Sequence, residues 1–114
     1  MKGERSKLYS DANDFYALSG NNVMKLSPSA AIAVCRTAAN NGLVIARVEG
    51  GIWLSPGFEA RLDCIWNGAD PPISVEAADR NNLIAGDFIL QQGVAHTAFI
   101  LTAAPLAGWP QRTE

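Results

Sequence analysis

The chain has little of what small proteins use for staples or for chemistry: two cysteines and one histidine among 114 residues. Cys35 and Cys64 lie among apolar neighbours and form no C-x-x-C pair, so we expect two buried, reduced thiols and no metal site. A P-loop, a G-x-G-x-x-G motif and a nucleophile elbow are all missing from the sequence, so we expect no cofactor.

Long apolar runs and a strong charge of either sign are also missing. No run approaches the ~20 apolar residues that a membrane helix needs, so no membrane partner is expected. The opening MKGERSKLYSDANDFY lacks the apolar core of a secretory signal, which predicts a cytoplasmic protein. A net charge of −2 argues against a nucleic-acid partner, because nucleic-acid binders usually have a basic surface.

What is present is an ordinary globular composition, with 48% hydrophobic and 18% charged residues. A chain of this length forms one compact domain without a disulfide or a metal. Residues 1–22 are its most polar part and are predicted to be an N-terminal extension with a short helix over 10–19. Residues 23–114 are predicted to be a single α/β domain, with Trp109 anchoring an irregular tail.

Six elements are predicted in that domain, in the order strand, helix, strand, strand, helix, strand. Ser27 and Ser74 are good N-caps for the two helices, and Gly42 and Gly93 end them. Gly86 lies inside the second helix and suggests a tight contact there. The elements are predicted at residues 23–26, 27–42, 43–49, 58–66, 74–93 and 97–102.

This order predicts an α+β fold, a two-layer sandwich with two helices on one face of an antiparallel sheet. The ferredoxin-like β-α-β-β-α-β arrangement fits it best, with the short N-terminal helix as an addition. The strand at 23–26 is the weakest element. One face of the sheet is expected to stay at least partly open.

The segment 58–66 alternates strictly between apolar and charged residues, which is typical of a half-buried strand. The alternation predicts an inner face toward the core and a charged outer face. A Gly/Pro-rich connection carrying Trp53 and Phe58 precedes this strand. The predicted inner residues are Ala60, Leu62, Cys64 and Trp66, and the predicted outer residues are Glu59, Arg61 and Asp63.

Four functions fit a charged outer face. A small enzyme could use His96, Glu59 and Arg61 for acid–base chemistry, although no nucleophile or metal motif accompanies them. An RNA platform is disfavoured because carboxylates repel phosphates. A homodimeric module could pair through the open sheet. A protein-binding surface would combine the carboxylates with aromatic anchors, unless Trp53 and Phe58 only cover the end of the core.

The strings EGGIW, PGFEARLDCIW and the later GWP, within residues 24–110, resemble small bacterial immunity proteins of the colicin and contact-dependent growth inhibition (CdiI-type) kinds. These strings transfer no catalytic residue. The resemblance implies a cytoplasmic protein, not an enzyme, that binds and neutralises one cognate toxin domain. Nucleases, often tRNA-directed, are a frequent class of such toxins, and their basic clefts suit an acidic inhibitor.

The predicted toxin-binding surface follows from this resemblance together with the local carboxylates. It lies on the two strands at 43–49 and 58–66 and on their connection. The protein is expected to be a monomer or a weak homodimer. The candidate toxin-binding residues are Glu49, Trp53, Phe58, Glu59, Arg61, Asp63 and Asp70.

Overall fold

A computed structural model describes residues 7–108, so the predicted anchor Trp109 lies outside the described residues. The elements follow the predicted order, with an additional strand before the first helix. They are β1 (Leu8–Tyr9), α1 (Ala12–Ala17), β2 (Lys25–Leu26), α2 (Pro28–Thr37), a 3-10 turn (Ala39–Asn41), β3 (Leu43–Trp53), β4 (Phe58–Asn67), α3 (Val75–Gln92) and β5 (Ala98–Pro105).

The strands form one five-stranded sheet in the order β1-β2-β5-β3-β4. Only β1 and β2 pair in parallel, and the other three pairs are antiparallel. Helices α2 and α3 pack on each other and on this sheet, so the α+β prediction is confirmed. The ferredoxin-like arrangement is not confirmed, because β2 has only two residues and lies outside β5, next to β1.

Both predicted helix caps are present. The Ser27 and Ser74 hydroxyls accept hydrogen bonds from the N–H groups of Ala30 and Ala77, each at 3.2 Å. Pro28 occupies the first turn of α2, where its missing N–H leaves no partner unsatisfied. Gly42 ends the 3-10 turn with φ of 75°, a left-handed conformation that glycine adopts at little cost.

Residues 7–22 contribute to the same core as the rest of the chain. Tyr9 and Phe15 are buried at 4% and 3% exposure, in one cluster with Leu26 and Phe99. Asn21 extends the hydrogen bonding of β5: its Nδ2 donates to the Ala103 carbonyl at 2.9 Å, and its Oδ1 accepts from the Ala103 N–H at 2.6 Å. The N-terminal segment therefore closes the edge of β5 beyond the short β2.

Two asparagines of α3 likewise bond to strand backbone with their side-chain amides, at the start of β3. Pairing between β3 and β4 begins only at Arg47, which leaves the start of β3 without a strand on that side. Fully buried Asn82 accepts from the Ile45 N–H at 2.8 Å and donates to the Leu43 carbonyl at 3.1 Å. Asn81 donates to the Ile45 carbonyl at 2.9 Å. Side-chain amides thus replace the missing ladder bonds.

Within residues 7–108, no helix combines the length and the apolar character that a membrane crossing requires.

Candidate functional site: the β3–β4 hairpin

The hairpin of β3 and β4 contains a large bulge. Glu49 pairs with Ile65, but Gly51, only two residues on, pairs with Ala60. Four residues of β4, Arg61 to Cys64, therefore stand opposite the single residue Gly50. A bulge of this kind leaves residues unpaired and redirects the strand. We call residues 61–64 the β4 bulge.

The two consecutive glycines of β3 make room for this arrangement. A Cβ atom on Gly50 would collide with the Cys64 Sγ and the Phe99 ring, and one on Gly51 would collide with the Glu59 carbonyl. The Phe58 ring also lies against Gly51. Glycine is therefore required here by close approach, because only a residue without a side chain leaves the space.

The bulge makes the predicted inner face of β4 wrong in part. Cys64 is buried and Trp66 packs against the core, as expected. Leu62, however, is 88% exposed, and Ala60 is also exposed. Strict alternation predicts a regular ladder, but the extra residues break the two-residue period, so that Leu62 lies in the unpaired bulge.

The register also divides the charged residues between the two faces of the hairpin. Glu49 is separated by one residue from Arg47, and both point away from the buried Val48 toward the open face. Glu59 is the cross-strand partner of Ile52, which lies on the opposite face from Glu49. The single charged face expected from the sequence is therefore two smaller ones.

Each glutamate is paired with an arginine two residues away. Arg47 Nε lies 3.1 Å from Glu49 Oε1, and Arg61 Nη2 lies 3.0 Å from Glu59 Oε2. The paired side chains are 37–50% exposed, so these are solvent-screened ion pairs. Asp63 and Asp70 are exposed, and neither forms a salt bridge with another described residue.

The aromatic candidates meet near the turn. Trp53 and Phe58 are cross-strand partners and are both half-buried. The Lys25 ammonium lies 5.9 Å from the centroid of the Phe58 ring, within the range of a cation–π contact. Residues 54–57 beyond them are all exposed, and Leu54 is 56% exposed. Asp70, in contrast, follows the far end of β4 and is not part of this cluster.

The residues of the enzyme alternative make local contacts. His96 is only 9% exposed, and its Nδ1 lies 2.9 Å from the Gln92 carbonyl in the preceding helical turn. Arg61 is engaged by Glu59. The clefts beside α1, beside Pro71 and Pro72, and between α2 and α3 are lined by other residues than His96, Glu59 and Arg61.

The two cysteine thiols, Cys35 of α2 and Cys64 of β4, are both buried. Burial raises the pKa of Cys35 to about 12, and it also raises the pKa of Cys64, to which the neighbouring Asp63 charge adds. A thiol must ionise to act as a nucleophile or a metal ligand, and both environments oppose ionisation. Among residues 7–108 no group of histidine, cysteine, aspartate and glutamate side chains is arranged to hold a metal ion.

Leu62 and Leu54 are the surface features that the sequence reasoning missed. Both are large aliphatic residues exposed on the hairpin. For Leu54, the adjacent Ser-Pro-Gly turn signal could have predicted exposure. For Leu62, the only local signal was the preceding glycine pair in β3, which indicates a bulge or a close approach of two chain segments.

Comparison with known proteins defines the class to which this chain belongs. The family model described as "Colicin-E5 Imm protein" matches residues 24–103. That match covers most of the chain, including both strands of the hairpin. The chain therefore belongs to the colicin-E5 immunity protein family.

Individual relatives agree with this assignment. The chain is 51% identical over 109 residues to "Immunity protein CdiI" of Burkholderia pseudomallei, an alignment that covers 96% of this chain and 100% of the relative. It is 42% identical over 82 residues to "Colicin-E5 immunity protein" of Escherichia coli, covering 69% of this chain and 96% of the relative. "Colicin-E5 immunity protein in ColE9", also of Escherichia coli, matches to the same extent.

Proposed function

We propose that this protein binds and neutralises one cognate toxin domain in the bacterial cytoplasm, as part of a contact-dependent growth inhibition or colicin-like system. The toxin is a nuclease, with transfer RNA as its favoured substrate class. The protein acts by binding and not by catalysis. Its contact surface is the β3–β4 hairpin with the β4 bulge.

The observation that carries the choice of surface is the exposed bulge. A bulge on an edge strand protects the edge against pairing with other chains, and proteins usually place charged side chains there. Arg61 and Asp63 fit that protective use, but a leucine with 88% exposure between them does not. An exposed apolar side chain ringed by charged groups is the composition of a binding anchor with a polar rim.

The charges support a basic partner. The hairpin and its exit carry four carboxylates, from Glu49, Glu59, Asp63 and Asp70, against the two arginines Arg47 and Arg61. The arginines are paired with the glutamates, so the aspartates provide the net negative charge. A nuclease must attract a phosphate backbone, and complementary charge on its inhibitor speeds their encounter.

The aromatic pair supports the same surface from its other side. Trp53 and Phe58 are half-buried, so each has an anchored part and an exposed part. Such residues add contact area at a small cost in conformational entropy. In this proposal the toxin contacts them together with Leu54 at the turn.

The test is co-expression with the toxin domain encoded beside this gene. Cells expressing both should survive, and the purified toxin should stop cleaving transfer RNA when this protein is added in equimolar amount. Growth arrest despite co-expression, with no complex tighter than micromolar, would refute the proposed function. Protection that persists when Leu62, Trp53 and Asp63 are all replaced would instead move the interface away from the hairpin.

A further inference from the structure

The exposed apolar side chains of this protein are concentrated on α3. Seven large hydrophobic residues are exposed in the described part of the chain, and Leu54 and Leu62 of the hairpin are two of them. The other five are Val75, Leu83, Ile84, Leu90 and Val94, which lie on α3 or within two residues of its end. A helix that only covers a sheet is expected to be polar on its outer face. Covering the sheet therefore does not explain the apolar residues on the outer face of α3.

The outer face of α3 has a specific composition. Its inner face is formed by buried Ala78, Asn82, Ala85 and Ile89. Arg80, Leu83, Ile84 and Asp87 follow the i, i+3, i+4, i+7 spacing of one helical stripe, and all four are exposed. Arg80 and Asp87 form no salt bridge within residues 7–108, so the charges at both ends of the stripe are available. We call these four residues the α3 stripe.

The α3 stripe is complementary to the same stripe of a second copy that runs antiparallel to it. In a two-fold symmetric, antiparallel pair of α3 helices, residues equidistant from an axis between Leu83 and Ile84 face each other. Arg80 then faces Asp87 of the second copy, and Leu83 faces Ile84. One step further out on the same face, Leu90 faces the small Ala77. Opposite charges meet, aliphatic residues meet, and a large residue meets a small one.

We propose that this protein self-associates through α3, as a two-fold symmetric dimer with antiparallel α3 helices. A two-fold interface uses the same patch on both copies, so that the contact of residue i with residue j occurs twice. The Arg80–Asp87 ion pair therefore forms at both ends of the stripe. One helix pair buries less area than a standard stable interface, so the dimer is weak and depends on concentration.

This inference is independent of the proposed function. The α3 stripe shares no residue with the hairpin, so the dimer and the toxin complex use different side chains. The dimer would bring two toxin-binding surfaces into one particle. A dimer paired through the open sheet would instead cover Arg47, Glu49 and Trp53.

Charge exchange provides the first test, by sedimentation velocity over micromolar to millimolar protein concentrations. The wild-type protein should shift from monomer to dimer as the concentration rises. Arg80→Glu alone and Asp87→Lys alone each place two like-charge pairs across the axis, so each should weaken the dimer at least tenfold. The double variant Arg80→Glu/Asp87→Lys should recover most of that loss. Arg36→Glu, on the exposed surface of α2, is the matched control and should have no effect.

Cross-linking provides a geometric test that does not depend on affinity. Because Leu83 faces Ile84 across the axis, an equimolar mixture of Leu83→Cys and Ile84→Cys should form the mixed disulfide faster than either variant forms its own. The native Cys35 and Cys64 are buried and should not interfere. A protein that stays monomeric throughout, a dimer insensitive to both charge reversals, or a dimer weakened by Leu62→Ala instead would overturn the proposal.

Discussion

At the scale of single residues, Leu62 is the most informative position on the surface. We expect Leu62→Ala to weaken toxin binding by about 2 kcal/mol, roughly thirtyfold in Kd, because a central apolar anchor contributes strongly to an interface. The free energy of unfolding should change by less than about 0.5 kcal/mol, because the side chain is 88% exposed. Binding is measured by calorimetry and stability by urea denaturation.

Val94→Ala is the matched control for that experiment, because Val94 is 91% exposed but lies after α3 and belongs to neither strand of the hairpin. It should change neither the Kd for the toxin nor the stability. Equal effects of the two substitutions on toxin binding would exclude the β4 bulge as the anchor.

The Cys35 thiol allows a prediction about pH. Its pKa is raised by burial to about 12, from 9.0 in an exposed thiol. Above pH 9 the unfolded chain loses this proton while the folded protein retains it, so the free energy of unfolding falls as the pH rises. Iodoacetamide should therefore label Cys35 only after unfolding. Substantial labelling of the native protein at pH 8 would contradict the burial described here.

Replacement of Gly50 and of Gly86 by alanine should change the free energy of unfolding in opposite directions. Gly50→Ala should lower the free energy of unfolding by about 3 kcal/mol, because the new methyl group collides with Cys64 and Phe99. Gly86→Ala should raise it by about 1 kcal/mol. A Cβ on Gly86 would meet the Cys35 Cβ at 3.5 Å, an ordinary contact and not the tight one expected from the sequence. Urea denaturation of both variants checks the two signs together.

At the scale of elements, Asn82 is the clearest stability determinant. Asn82→Ala leaves the Ile45 N–H and the Leu43 carbonyl without their side-chain partners and should cost about 3 kcal/mol, because the first bond is buried and the second is partly buried. Asn82→Asp should also destabilise, because a carboxylate cannot donate to Leu43 and would be charged in the core.

Asn40→Ala is the control for Asn82, because Asn40 is exposed in the 3-10 turn. Its effect on thermal unfolding should be within about 0.5 kcal/mol. If Asn82→Ala were as mild as this control, the amide bridge between α3 and β3 would not contribute to stability.

The elements also show where sequence reasoning succeeds and where it fails. Helix caps are local, so Ser27 and Ser74 could be recognised from a few neighbouring residues. The β4 bulge could not, because a register depends on both strands and on the space that Gly50 provides for Cys64. Asn81 and Asn82 read as ordinary polar helix residues, since their β3 partners are more than 30 residues away in the sequence.

At the scale of the whole molecule, charge should govern how fast the toxin binds. Asp63→Lys should slow association about tenfold at low salt and reduce its dependence on ionic strength, because Asp63 is exposed and has no ion pair among the described residues. Glu59→Gln should have an effect of the same sign, because it releases the Arg61 charge. Stopped-flow association at several salt concentrations measures both.

Asp79→Lys is the control for long-range effects, because it changes the net charge as much as Asp63→Lys but lies on α3. An equal slowing by the two substitutions would mean that the overall charge matters and the hairpin does not.

The whole-molecule topology was predictable only in part. The predicted order of elements correctly implied two helices packed on one sheet, because apolar periodicity and turn signals mark each element. The order of the strands was not predictable in this way. β1 pairs with the outer side of β2, and Asn21 bonds the edge of β5, although the polar N-terminal residues show no sign of either role.

The asparagine bridge between α3 and β3 has a consequence for how the protein opens. The Ile45 N–H has its partner on a helix, so it is released whenever α3 leaves the sheet, even if every strand remains paired. In native-state hydrogen exchange, this amide should therefore exchange with the same opening free energy as the centre of α3. Exposure of a strand amide, which in a simpler sandwich requires a neighbouring strand to separate, requires at this residue only the detachment of a helix.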